Sequence, residues 1–191
     1  RFLYPPLFAF RAFGSAWADY DNDGDPDLYI ARNGWNGPAP NGLLRNNGDG
    51  TFTEVAVAAG VADPGSSFHT AFFDYDRDGW LDLIVSNGVY ADGSTNQLYK
   101  NRGDGTFSNA TVAAGIAEKP GIGTIGVALG DYDDDGWPDI FYHGRFSPNR
   151  LYHNNHDGTF PDVARVAGVE GPGTQNGYVA FLSDMDSDGD L

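Results

Sequence analysis

The sequence predicts an all-β protein built from β-propeller blades, each of four antiparallel strands. Three observations carry this expectation. An aspartate-rich string recurs every 53–57 residues, starting at Asp19, Asp74, Asp131 and Asp184. Two further strings follow each complete copy in the same order. Short apolar segments of strand length flank the copies, punctuated by Gly- and Asp-rich turns.

Each unit can be read in order. Apolar segments precede the Asp string at 15–20, 70–75, 127–132 and 179–184. The string itself, D-Y-D-x-D-G-x-x-D, stands at 19–27, 74–82 and 131–139, and a fourth copy runs from Asp184 to the last residue, Leu191. A second strand follows at 27–31, 82–86 and 139–143, rich in Ile, Val, Phe and Tyr. Next come NGLLRNNGDGTF (41–52), NQLYKNRGDGTF (96–107) and NRLYHNNHDGTF (149–160). These read as hairpins closed by an Asp-Gly turn. The segments AAGV (58–61), AAGI (113–116) and VAGV (166–169) read as a turn or a single helical turn. Four strands at this period match a propeller blade. The expected organisation is an N-terminal segment at 1–13, blades at 14–68, 69–125 and 126–178, and the start of a fourth at 179–191. That is about three and a half blades, fewer than most closed rings hold, so part of a longer propeller is expected, with several chains completing one assembly as the alternative.

Composition narrows the function. Of 27 acidic residues 24 are Asp, against 11 Lys and Arg, and the net charge is −16. Glu would serve a merely acidic or helical surface equally well, whereas Asp belongs to turns and tight metal loops. Such a charge excludes a nucleic-acid partner, which needs a basic face. No apolar run is long enough for a membrane span. The absence of Cys excludes thiol catalysis, thiolate metal sites and disulfides.

The Asp strings read as metal loops. Asp19, Asp21, Asp23 and Asp27 occupy positions 1, 3, 5 and 9, with the carbonyl of Asp25 at position 7. The second loop offers Asp74, Asp76, Asp78 and Asp82 with the carbonyl of Trp80. The third offers Asp131, Asp133, Asp135 and Asp139 with the carbonyl of Trp137. The fourth offers Asp184, Asp186 and Asp188 with the carbonyl of Asp190, and lacks a ninth position. A glycine at position 6 permits the sharp turn. An all-oxygen set of this size suits Ca²⁺ better than Mg²⁺ or zinc. The EF-hand alternative fails, because position 12 is Ile30, Val85 and Tyr142 where a bidentate Glu is needed. An ion-free acidic turn is the bland reading, and mutual repulsion of four carboxylates argues against it.

These strings resemble the FG-GAP/VCBS repeat family, the calcium-binding blades of integrin α-like propellers, in the variant of cartilage acidic protein-like repeats. The resemblance covers residues 14–191. It implies a seven- or eight-bladed propeller with one Ca²⁺ between the first two strands of each blade. It also implies an extracellular or cell-surface setting and a structural or adhesive role, through protein partners or self-association. A calcium-dependent, lectin-like module binding glycans is the alternative. A polysaccharide lyase or hydrolase is a third reading, though no catalytic constellation supports an enzyme.

Four lesser features have bland readings. Arg102-Gly103-Asp104 spells an adhesion tripeptide, yet its Gly-Asp belongs to the repeat. Asn109-Ala110-Thr111 is an N-glycosylation sequon. His69, His143, His153 and His156 show no mutual ligand spacing and read as strand or turn residues. Trp17, Trp80 and Trp137 are expected to pack between blades, and Trp35 to pack in its Gly/Pro-rich loop or to stack on a sugar.

Overall fold

The computed structural model describes residues 11–33, 40–88, 94–118, 123–145 and 147–173. The fourth Asp loop and Trp35 lie outside the described residues.

The protein is all-β, and its antiparallel sheets follow one another along the chain. The first holds β1 (Arg11–Ala18), β2 (Asp27–Asn33), β3 (Gly42–Asn46) and β4 (Phe52–Glu54), paired in sequence order. The second repeats this order with β5 (Ser67–Phe73), β6 (Asp82–Asn87), β7 (Gln97–Asn101) and β8 (Phe107–Asn109). The third pairs β9 (Gly123–Gly130) with β10 (Asp139–Arg145) and β10 with β11 (Arg150–Tyr152). Each described Asp loop therefore joins the first two strands of its sheet.

The expected fourth strand of the third sheet is reduced to one bridge, Tyr152 to Asp162. Pro161 stands where the other sheets have Thr53 and Ser108, both paired in the ladder. Proline has no N–H to donate, so only its carbonyl bonds, accepting from the His153 amide at 3.1 Å.

Two cores lie between successive sheets. Tyr20, Tyr29, Leu43, Leu83, Val85 and Phe107 fill the first. Ile84, Leu98, Val127, Ile140, Tyr142 and Phe160 belong to the second. The alternation along β6 explains this division: Leu83 and Val85 point to one side and Ile84 to the other, and all six residues of the strand are buried. A strand covered on both faces reads as an unbroken apolar run, as DLIVS does. After β4 the AVAA segment forms α1 (Ala56–Ala59), ended by Gly60 at φ 81°. The equivalent segments of the next two repeats are turns.

Trp17 corrects an expectation. It is 60% exposed and lies edge-on to Phe52 of its own sheet, 6.2 Å between ring centroids. Among the aromatics that join neighbouring sheets is the Tyr at position 2 of the loop. Tyr20 stacks on Phe107 at 5.6 Å and Tyr75 meets Phe160 at 5.8 Å.

Candidate metal centre

Three Asp loops are described, and one hydrogen-bond scheme builds them all. The position-1 carboxylate accepts from the amides of positions 5 and 6: Asp19 from Asp23 (3.0 Å) and Gly24 (2.8 Å), Asp74 from Asp78 (3.1 Å) and Gly79 (2.9 Å), Asp131 from Asp135 (3.0 Å) and Gly136 (2.7 Å). The position-5 carboxylate accepts from the amide of position 7, which is Asp25, Trp80 and Trp137 in turn. Position 6 is glycine with φ between 87° and 95°. Position 4 is also left-handed, with φ of 57–58° at Asn22, Arg77 and Asp134. Asn and Asp tolerate that conformation, whereas an Arg there is strained.

The position-9 carboxylates, Asp27, Asp82 and Asp139, are fully buried. Each accepts two backbone amides: one from position 2 of its own loop, the other from the Asn that ends the third strand or follows it, namely Asn46 (2.7 Å), Asn101 (2.8 Å) and Asn154 (2.8 Å). Burial nevertheless raises the Asp27 carboxyl to about 6 and the Asp82 carboxyl to about 7, and raises Asp139 as well.

The position-3 carboxylates differ. The Oδ1 atoms of Asp21 and Asp76 are buried without a hydrogen-bond partner. Burial, followed by repulsion from Asp23 and Asp19, raises the Asp21 carboxyl. A buried carboxylate oxygen facing other carboxylates is poorly satisfied until a cation joins it. Ligand atoms of Asp19, Asp21 and Asp27 lie within 4.8 Å of one another, as do those of Asp74, Asp76 and Asp78, and of Asp131, Asp133 and Asp135. The structure thus gathers three carboxylates per loop within that distance. Asp23, Asp82 and Asp139 are the ones left out of these triplets. A hard divalent cation fits this oxygen-only donor chemistry.

The match to a known repeat family agrees with this repetition. The FG-GAP-like repeat pattern matches residues 19–85, 89–142 and 131–191. The chain belongs to the FG-GAP-like repeat family. It is 30% identical to human cartilage acidic protein 1 and 29% identical to the mouse protein, over 96% of this chain and 31% of each relative. The chain therefore spans about a third of the length of these curated relatives. A solved structure of an Agrocybe aegerita lectin, described as recognising non-reducing terminal N-acetylglucosamine, matches at 19% identity and a TM-score of 0.48. That match covers 79% of this chain and 38% of the lectin chain.

Several contacts in these FG-GAP-like repeats escape sequence reading. One position in each repeat, immediately before the recurring Asn, carries Arg45 or Lys100 on the third strand or His153 just past it. The register places it next to the Leu28–Leu44, Leu83–Tyr99 and Ile140–Tyr152 pairs, level with the position-9 Asp. Lys100 binds the carboxylates of Asp76 and Asp78. His153 Nδ1 lies 3.3 Å from Asp133 and 3.5 Å from Asp139, with which it forms a further potential ligand group. This corrects the reading of His153 as a bystander: its partners come from across the sheet, so spacing within the chain could not reveal them.

The side chains of the FG-GAP-like Asn residues also reach the preceding repeat. Asn101 donates to the carbonyl of Tyr20 at 2.8 Å, and Asn154 to that of Tyr75 at 2.9 Å. His156 accompanies the third loop, 2.6 Å from Asp135 and stacked on Trp137 at 4.7 Å. The Asp of each hairpin turn is engaged locally, since Asp49, Asp104 and Asp157 each accept from the amide and hydroxyl of a Thr two residues on. Asp104 of the Arg-Gly-Asp tripeptide is thus a repeat element. No helix among the described residues is long and apolar enough to cross a membrane.

Proposed function

We propose that this protein is a calcium-binding β-propeller module of the extracellular space, in which bound Ca²⁺ rigidifies blades that contact other proteins or further copies of the chain. One observation carries the reading. The same acidic cradle recurs at three equivalent places, and the buried position-3 oxygens of Asp21 and Asp76 have no hydrogen-bond partner.

Asp19, Asp21, Asp23 and Asp27 would hold the first ion with the carbonyl of Asp25. Asp74, Asp76, Asp78 and Asp82 would hold the second with that of Trp80, and Asp131, Asp133, Asp135 and Asp139 the third with that of Trp137. Asp184, Asp186, Asp188 and Asp190 extend the proposal to a fourth loop. The ion supplies positive charge to the loop that joins the first two strands. The chain supplies the turn: positions 1 and 5 brace it through backbone amides, and position 9 anchors it to the third strand. Because the unfolded chain cannot assemble these ligands, binding adds to stability, by about 2.7 kcal/mol per site at a hundredfold excess over Kd.

The contact role draws on exposed apolar side chains after each hairpin. Val57 and Val112 occupy equivalent positions and are 78% and 81% exposed; in the third repeat Arg165 takes that position and Val166, one residue on, is 92% exposed. Membership of a family shared with cartilage acidic protein 1 supports the extracellular setting.

Thermal unfolding of calcium-depleted protein, repeated with 5 mM Ca²⁺ or Mg²⁺ (on the order of the weak extracellular Kd range), tests the reading. Calcium should raise the melting temperature more than magnesium, and Asp21→Asn and Asp133→Asn should each shrink the increase. An unchanged melting temperature in calcium would refute ion binding. Sedimentation of V57S/V112S/V166S tests the contact surface, which predicts weaker self-association than in the parent.

A further inference from the structure

The three described cradles have similar loops but different neighbours. Arg45, Lys100 and His153 share one repeat position, and only one of them is seated among carboxylates as a fixed cation. Lys100 Nζ binds Asp76 Oδ2 and lies 3.2 Å from Asp78 Oδ2, and these are the position-3 and position-5 carboxylates of the second loop. Its ammonium also stands 5.9 Å from the centroid of the Tyr75 ring. Among the described residues no ion pair joins Arg45 to the first loop. The second loop is therefore partly neutralised by a direct ion pair from its own chain, while Arg45 acts on Asp21 of the first only by a longer-range attraction.

We propose that Lys100 is a tethered cation that competes with the divalent ion for the second cradle, weakening that site and holding its blade folded when calcium is scarce. The inference rests on the calcium reading and adds an order among the sites. A compact ammonium on a flexible stem satisfies the same oxygens a cation would use, and it has three donors to spread over them. Its effective concentration is high because strand β7 fixes its root beside the loop. Calcium must displace it, and the stem is long enough for the charge to return to water, since the side chain is already 36% exposed.

The consequence has a sign that an ordinary structural ion pair lacks. Removing the ammonium should weaken the metal-free fold and strengthen calcium binding at the same time. An exposed pair of this kind corresponds to at most roughly a fivefold change in affinity.

The test is calorimetric titration of Ca²⁺ into the full chain, comparing the parent with Lys100→Met, which keeps the apolar stem. Asp76→Asn identifies which binding step belongs to the second loop. The expected result is a second-loop step tighter by roughly two- to fivefold in Lys100→Met, with the other steps unchanged. Thermal melting should show a lower midpoint than the parent in chelator and an equal or higher one in calcium. Should Lys100→Met fail to fold even in calcium, Lys100→Gln takes its place in the same comparison. Unchanged or weaker binding after loss of the charge would overturn the proposal while leaving the calcium sites standing. If the parent and both variants bind no calcium at any loop, the underlying reading falls instead.

Discussion

Replacing Asn101 by Ala tests whether neighbouring sheets are joined through their loops. The Asn101 side chain is 1% exposed and makes three hydrogen bonds. It donates to the carbonyls of Tyr20 in the first repeat (2.8 Å) and Leu81 in its own (3.0 Å), and accepts from the Gly103 amide (2.9 Å). Alanine removes all three and leaves buried backbone groups unpaired. At about 1 kcal/mol per net hydrogen bond, rising to about 3 for a group left unsatisfied, the loss should be roughly 3–5 kcal/mol. Asn46 is the internal control. Its side chain donates to Pro26 (3.1 Å) and accepts from Gly48 (3.1 Å), both within its own repeat and toward solvent. Asn46→Ala should lose only about 1–2 kcal/mol. Asn154→Ala should behave like Asn101→Ala, since Asn154 is 0% exposed and reaches Tyr75 of the preceding repeat. Urea denaturation at saturating calcium measures all three. If Asn46→Ala were as damaging as Asn101→Ala, the contact between repeats would add nothing and the argument would fail.

Two further outcomes are expected. Burial raises Asp27 to about 6 and Asp82 to about 7, from an ordinary value of 3.8. An acid raised on folding contributes stability that is fully present below its unfolded value and is lost as pH climbs through the folded one. Calcium-depleted protein should therefore melt at lower temperature at pH 8 than at pH 5, and calcium should flatten this slope by binding the ionised form; a metal-free melting temperature that rises between those pH values would contradict it. Gly79→Ala meets open space at φ 88° and should lose about 1–2 kcal/mol from backbone strain alone. Gly103→Ala, at φ 71°, would also place its Cβ 2.7 Å from the Trp80 ring, so it should lose more and shift tryptophan emission, as fluorescence-detected unfolding can show.

Much of the candidate site was legible in the chain because its causes are local. A loop closed by its own carboxylates, a left-handed Gly at position 6 and an Asp-Gly hairpin all depend on residues within a few positions of one another. Their recurrence marked the strands on either side. The Pro161 amide defect was also visible in the sequence, but its consequence appeared only where the partner strand lay opposite.

What the amino-acid sequence determined by itself was thus the period of the repeats, the strands and turns within each, and the carboxylates at each loop. The tertiary structure alone decided which charges meet those loops and how repeats are tied together. Lys100 lies 22 residues beyond Asp78, and Asn101 lies 81 beyond Tyr20. Sheet register carries Lys100 to Asp78, and the packing of successive sheets carries Asn101 to Tyr20. Neither depends on nearby residues, so a repeating string can specify each sheet without revealing what its neighbour contributes.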